Sequence, residues 1–239
     1  MSGLKGKVAV VTGGGRGIGA ATALLLAREG ARVAVLSRTA SELSEVCAAI
    51  GAAGGTAAAI VCDVADEASV GRAFQEVDAR FGGLDVLVNN AGAIASGRVD
   101  EMAVVAFDRV LGVNVRGVFL CTRAAFPRLQ ARGGGAIVNL SSLGGIRGTE
   151  KFPGFSAYTA SKFAVVGLTE AHAVEGRPLG IRVNAVAPGA IDTAMLRQAA
   201  PGLKTKTTPD DVAKVILFLA DSARSEAVSG TVVEIFSNA

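Results

Sequence analysis

The stretch "VAVVTGGGRGIGAATALLLAREG", Val8–Gly30, runs from a β-branched apolar segment through a cluster of glycines into a helical pattern. Val8–Thr12 reads as a buried strand, and Ala20–Glu29 has the apolar spacing of a helix. Between them stand Gly13, Gly14, Gly15, Gly17 and Gly19, with Arg16 and Ile18 interspersed. A tight strand-to-helix turn needs residues without Cβ, and the free amides at the helix start favour a pyrophosphate. The spacing Gly13-x-x-x-Gly17-x-Gly19 departs from the G-x-G-x-x-G fingerprint, and a glycine-rich turn that holds no ligand is the alternative at this point.

The same punctuation recurs along the chain. Arg32–Ser37, Ala57–Cys62, Asp85–Asn90, Ala136–Ser141, Ile181–Ala187 and Thr231–Phe236 read as further strands, seven in all with the first. Their runs are nearly continuous rather than alternating, as in parallel strands covered on both faces. Glu67–Phe81 and Asp210–Ala220 supply crossover helices. The expected architecture is an α/β, Rossmann-type, doubly wound seven-stranded parallel sheet with helices on both faces, in a single domain over 1–239. Ligands of such sheets bind beyond the carboxyl ends of the strands, so chemistry is sought there.

Composition narrows the functional classes. The 239 residues are 50% hydrophobic and carry a net charge of +3 that is spread along the chain, which argues against nucleic acid as a partner. Cys47, Cys62 and Cys121 are distant from one another, odd in number and without C-x-x-C spacing, so neither a disulfide framework nor a metal site is expected. The apolar run near the N-terminus is too short for a signal peptide, and no stretch approaches the length of a membrane span; a cytoplasmic protein is expected.

"SAYTASKFAVVGL", from Ser156, contains the sole tyrosine, Tyr158, and Lys162 four residues later. On a helix the two share a face, and a cation close to a phenol favours its ionised form. A chance helical pair is the competing reading. The lone histidine, His172, matches no motif and reads as structural.

Taken in order, "TGGGRGIG", "CDV" at Cys62–Val64, "NNAG" at Asn89–Gly92, Asn114 in "GVNVRGVF", "IVNLSS" leading to Ser142, Tyr158-x-x-x-Lys162 and "RVNAVAPGAIDT" resemble the motif series of the short-chain dehydrogenase/reductase family. The match runs through nearly the whole chain and is similar to the branch containing 3-oxoacyl-(acyl-carrier-protein) reductases. The resemblance implies Tyr158 as the general acid for a ketone oxygen, Lys162 as the group that lowers its pKa and holds the nicotinamide ribose, Ser142 as donor to the substrate oxygen, and Asn114 as holder of a relay water. Ser141 competes with Ser142, and Asn114 has the alternative of a helix-interior amide bonded to backbone. It also implies cofactor contacts from Gly13, Gly15, Arg16, Gly17, Ile18, Gly19, Ser37, Arg38, Asp63, Val64, Asn90, Ala91, Gly92, Pro188, Gly189, Ile191 and Thr193.

The second strand ends in Ser37 and Arg38, where an NAD enzyme would carry a carboxylate for the ribose 2′-hydroxyl. The expected cofactor is therefore NADP(H), with Arg38 and Arg16 facing the 2′-phosphate. The expected reaction interconverts a ketone and a secondary alcohol. The rivals are an NAD(H)-dependent alcohol, diol or sugar dehydrogenase, and a non-catalytic dinucleotide sensor. A homo-oligomer, a tetramer by analogy, is expected, and Arg128, Arg132 and Arg177 are candidates for meeting an acyl carrier protein, with a solvated face the preferred reading of the three. "AMLRQAAPGLKTKTT" is short for a substrate lid, whereas "LGGIRGTEKFPGFSA" is long, with Thr149–Lys151 the insertion. Leu143, Phe152, Phe155 and Met195 are expected to form an apolar wall that favours bulky or acyl-chain ketones.

Overall fold

The computed structural model describes residues 3–237; Met1, Ser2, Asn238 and Ala239, which the single-domain span and the N-terminal reading include, lie outside the described residues. The sheet contains β1 (Val8–Thr12), β2 (Arg32–Ser37), β3 (Thr56–Val61), β4 (Val86–Asn89), β5 (Gly135–Leu140), β6 (Ile181–Pro188) and β7 (Val232–Ile235). All neighbours pair in parallel, in the order β3-β2-β1-β4-β5-β6-β7. The order reverses between β1 and β4, which opens a crevice at their carboxyl ends. Every expected strand is present, β1 and β2 with the expected bounds and the others with ends moved by one residue at most. Just ahead of β4, Asp85 still bonds both neighbouring strands through its backbone, and its buried carboxylate accepts from Val8 N at 2.9 Å.

The continuous apolar runs are explained by two cores. Ala9 and Val11 face one side, with α1 (Gly17–Arg28), α2 (Ala40–Ala52) and α8 (Pro209–Ala220). Val8 and Val10 face the other, with α3 (Glu67–Phe81), α5 (Gly117–Ala131) and α6 (Ser156–Gly176). Alternate residues thus feed opposite cores, and none of the four is exposed at all. Between β4 and α5 lie α4 (Val104–Leu111) and a π-helical turn, Gly112–Arg116. After β6 come the short α7 (Ala194–Ala199) and, beyond α8, α9 (Ser222–Ser225). Among the described residues no helix is long and apolar enough to cross a membrane.

Helix starts follow local chemistry. Asp66 caps α3 through Ala68 N, and Thr208 with Asp211 forms a reciprocal capping box on α8. Two of the three Arg residues read as carrier-facing are paired within the fold, Arg128 with Asp78 at 2.7 Å and Arg132 with Asp85 at 3.3 Å, whereas Arg177 is exposed.

Candidate active site

One cavity of about 1400 Å³ spans the carboxyl ends of the strands. Ligand pockets commonly measure about 300–1,000 Å³, so this one has room for a long cofactor and a substrate together. The glycine loop forms one wall. Gly13 has φ +62°, and a Cβ there would stand 2.8 Å from Ala91 Cα; at Gly19 it would stand 2.3 Å from Gly13 O. The loop therefore packs directly on the turn after β4, with no side chain between them. Asn90 reinforces that contact, donating through Nδ2 to Thr12 O at 2.9 Å and Gly13 O at 3.0 Å. Thr12 Oγ1 in turn accepts from Asn90 N and Ala91 N.

Gly13, Gly15, Arg16, Gly17, Ile18, Ser37, Arg38, Asp63, Val64, Asn90, Ala91, Gly92, Tyr158, Lys162, Pro188, Gly189, Ile191 and Thr193 all line this cavity, as does Ser142. Gly19 stands behind the loop as a spacer. Asp63 Oδ1 accepts from Ala65 N at 3.0 Å, which shapes the turn after β3. Ile191 is only 4% exposed and its side chain joins the core, so contact with a ligand falls to its backbone. Gly189 N is already bonded to Ile235 O at 2.9 Å. Thr193 caps α7 through Leu196 N and rests against Gly17.

Beside the glycine loop stands the proton-handling group. Burial pushes the Tyr158 phenol above its ordinary pKa, and the Ser142 hydroxyl beside it pulls the other way. Lys162 is almost fully buried, and desolvation lowers its pKa to about 8. Its Nζ donates to Leu140 O at 2.7 Å and lies 5.6 Å from the Tyr158 ring centroid. The effect of Lys162 on the tyrosine pKa rests on the resemblance; the ammonium itself donates to a strand carbonyl, and burial pushes the phenol up. Ser141 and Ser142 both line the cavity but differ in what their hydroxyls meet. Ser141 Oγ donates to Lys162 O at 2.9 Å and is buried, whereas Ser142 adjoins Tyr158 in the cavity.

Asn114 sits in the π-helical turn. Its Oδ1 accepts from Ala93 N at 2.7 Å, while Nδ2 donates to Ala93 O and Ser161 Oγ, both at 2.9 Å. Both amide protons are thus committed to protein, the alternative the sequence left open. A Cβ at Gly92 would lie 3.7 Å from Asn114 Oδ1 and 3.9 Å from Lys162 Nζ, so these groups share one corner. His172 is buried against Phe126, and desolvation lowers its pKa.

Leu143, Phe152, Phe155 and Met195 all face the cavity. Thr149 Oγ1 bonds the Leu143 and Ile146 carbonyls, and Lys151 Nζ donates to Ile146 O at 2.6 Å while lying over the Phe163 ring. The long loop is therefore fastened to itself. Sequence reading missed Glu42, Thr39 and Arg147 in the lining. For Glu42 a signal existed, since the first turn of the helix after β2 faces the same crevice as the strand end.

A parallel sheet with a glycine cradle at its switch point, and a phenol, a hydroxyl and an ammonium gathered beside it, defines an oxidoreductase of the dinucleotide-binding α/β class. The chain belongs to the short-chain dehydrogenase family, whose model matches residues 7–204. It is 38% identical over 243 residues to the 3-oxoacyl-(acyl-carrier-protein) reductase of Thermotoga maritima, covering 97% of each chain. It is 41% identical to the cis-4-hydroxycyclohexanecarboxylate dehydrogenase of Sinomonas cyclohexanicum, covering 93% of this chain and 92% of that one. A short-chain type dehydrogenase/reductase from Mycobacterium marinum superimposes with TM-score 0.91 at 35% identity, covering 98% and 95%. The family acts on alcohol and ketone substrates with a nicotinamide dinucleotide.

Proposed function

We propose that the protein is an NADP(H)-dependent reductase that interconverts a bulky or acyl-chain ketone and its secondary alcohol. The observation that carries the reading is the shared cavity: Tyr158, Ser142 and Lys162 open into the same space as the glycine cradle and the Ser37–Arg38 strand end. The cradle fits a dinucleotide, because Gly13, Gly15 and Gly17 line the cavity at the start of α1 without side chains, which leaves a pyrophosphate room to approach the α1 amides. Gly13, Gly15, Gly17 and Ile18 would hold the pyrophosphate, Asp63 and Val64 the adenine, and Asn90–Gly92 with Pro188–Thr193 the nicotinamide half. Arg16 and Arg38 supply two cations at the ribose end, where a carboxylate after β2 would instead select NAD.

When bound, the reduced nicotinamide supplies a hydride to the carbonyl carbon. Tyr158 gives its phenolic proton to the carbonyl oxygen, which suits a phenol kept protonated at neutral pH. Ser142 donates to the same oxygen and stabilises its developing charge. Lys162 is held by Leu140 O within reach of the Gly92 corner, where a ribose hydroxyl would meet it. Asn114 is a positioning residue that fixes the Ala93 backbone and, through Ser161, the start of α6.

The short α7 and the self-fastened Leu143–Phe155 loop support an apolar substrate. Burial of apolar area contributes about 25 cal/mol per Å², so a wall of Leu143, Phe152, Phe155 and Met195 rewards a large hydrophobic group. Exposed apolar side chains on α4–α6, including Val104, Val105, Phe119 and Phe163, support a homo-oligomer, which light scattering measures. The test of substrate class is kcat/KM with NADPH across a ketone series from small diketones to 3-oxoacyl thioesters. Values should climb with apolar bulk; a flat series, or one led by the smallest diketone, refutes the substrate reading.

A further inference from the structure

The ribose end of the cavity contains a carboxylate as well as cations. Glu42, in the first turn of α2, lines the cavity alongside Arg16, Ser37, Arg38 and Thr39. Its Oε1 lies 3.5 Å from Arg16 Nη1, and only 30% of its side chain is exposed. A Cβ built at Gly15 would stand 2.9 Å from Glu42 Cβ, 3.0 Å from its Oε2 and 3.3 Å from Ser37 Oγ. The carboxylate thus packs on the glycine loop at its nearest approach to the β2 end.

We infer that Glu42 is a specificity-determining residue that restrains the grip of this site on a ribose 2′-phosphate. The inference rests on the proposed placement of the adenosine ribose between Arg16 and Arg38. Glu42 acts in two ways. It engages Arg16, drawing one of the two cations away from an incoming phosphate, and it places a like charge beside a group that carries nearly two negative charges at neutral pH. A 2′-hydroxyl meets no such repulsion. The arrangement narrows the preference that two arginines alone would give the phosphorylated dinucleotide.

Calorimetric titration of the cofactor-free protein with NADP⁺ and with NAD⁺ tests this, and suits a chain that has no tryptophan to report binding by fluorescence. Glu42→Gln should lower the Kd for NADP⁺ about fivefold, the effect of removing one repulsion at about 4 Å in a water-like medium. Affinity for NAD⁺ should not rise. Glu45→Gln removes the same charge from the exposed side of α2, outside the cavity, and should leave both constants unchanged. The inference is overturned if Glu42→Gln leaves NADP⁺ affinity unchanged or weaker, if NAD⁺ gains equally, or if Glu45→Gln has the same effect. Preference of the parent is read separately: a parent that binds NAD⁺ more tightly refutes the NADP(H) proposal, yet a selective gain on Glu42→Gln still supports the role of Glu42. A parent that binds neither dinucleotide overturns both.

Discussion

Lys162 and Leu140 are joined by a 2.7 Å hydrogen bond that ties the ammonium of α6 to the last carbonyl of β5. Ser141 closes the link in the other direction by donating to Lys162 O. A buried charge is thereby kept at the strand end with a single protein acceptor, and burial drives its pKa down to about 8.

A pH signature follows for the cofactor-free protein. The unfolded lysine ionises near 10.5 and the folded one near 8, so between these values the unfolded state binds more protons and stability rises with pH. Below about 8 the fold bears the whole cost of the buried charge. Denaturant titrations from pH 7 to 10 should show the parent gaining on Lys162→Met across this window. A constant difference between the two would contradict the burial argument.

Tyr158→Phe removes only the phenolic oxygen. Folding and dinucleotide affinity should persist, while turnover falls by about 10²–10⁴, the usual worth of general acid catalysis. Because burial raises the phenol pKa, the donor form prevails at neutrality, and alcohol oxidation, which needs the phenolate, should accelerate with rising pH. Steady-state rates in both directions, with calorimetry for binding, check this. Wild-type turnover in the variant would sink the mechanism.

Asp85 anchors the opposite end of the sheet. Burial pushes its pKa up, but the Val8 amide, Arg132 and Lys7 more than offset that, and the net shift is downward. Its contribution is thus present above the ordinary carboxylate range and lost as pH falls through it. Asp85→Ala should cost about 1–3 kcal/mol by orphaning the Val8 amide, with catalysis unaffected per folded molecule. Urea unfolding and active-site titration separate the two effects.

Cofactor choice is open to redesign at the end of β2. Replacing Ser37 with Asp and Arg38 with Ala installs an acceptor for a 2′-hydroxyl and deletes a cation. The ratio of kcat/KM for NADPH over NADH should fall by about tenfold or more, as charge-assisted hydrogen bonds contribute about 1.5–3 kcal/mol. An unchanged ratio would place the determinant elsewhere.

Most of this architecture was legible because parallel strands buried on both faces leave long apolar runs, and because glycines at strand ends mark close backbone approaches. Tyr158, Ser142 and the glycine loop were legible by motif order. Hydrogen-bond direction was not. The spacing of Tyr158 and Lys162 puts them on one face of α6, but whether the ammonium turns to the phenol or to Leu140 depends on where β5 ends. Asn114 reads as a helix residue, and only the π-helical turn aims its amide at Ala93. Glu42 was overlooked although the first turn after β2 faces the crevice, because charge on a helix surface is ordinarily solvated; its place in the lining arises from Gly15, which lets the helix approach the loop.

The hydrogen bonds of Thr12 and Asn90 across the β1–β4 crevice bear on the speed of encounter. They hold the cradle to the neighbouring strand end without help from a ligand, so an arriving dinucleotide meets a surface already in its receptive form. A cradle so held would need no prior rearrangement, and observed affinity would not be diluted by an unreceptive majority. Differences in cofactor affinity among variants of this wall should then be read in how long the dinucleotide stays rather than in how fast it arrives.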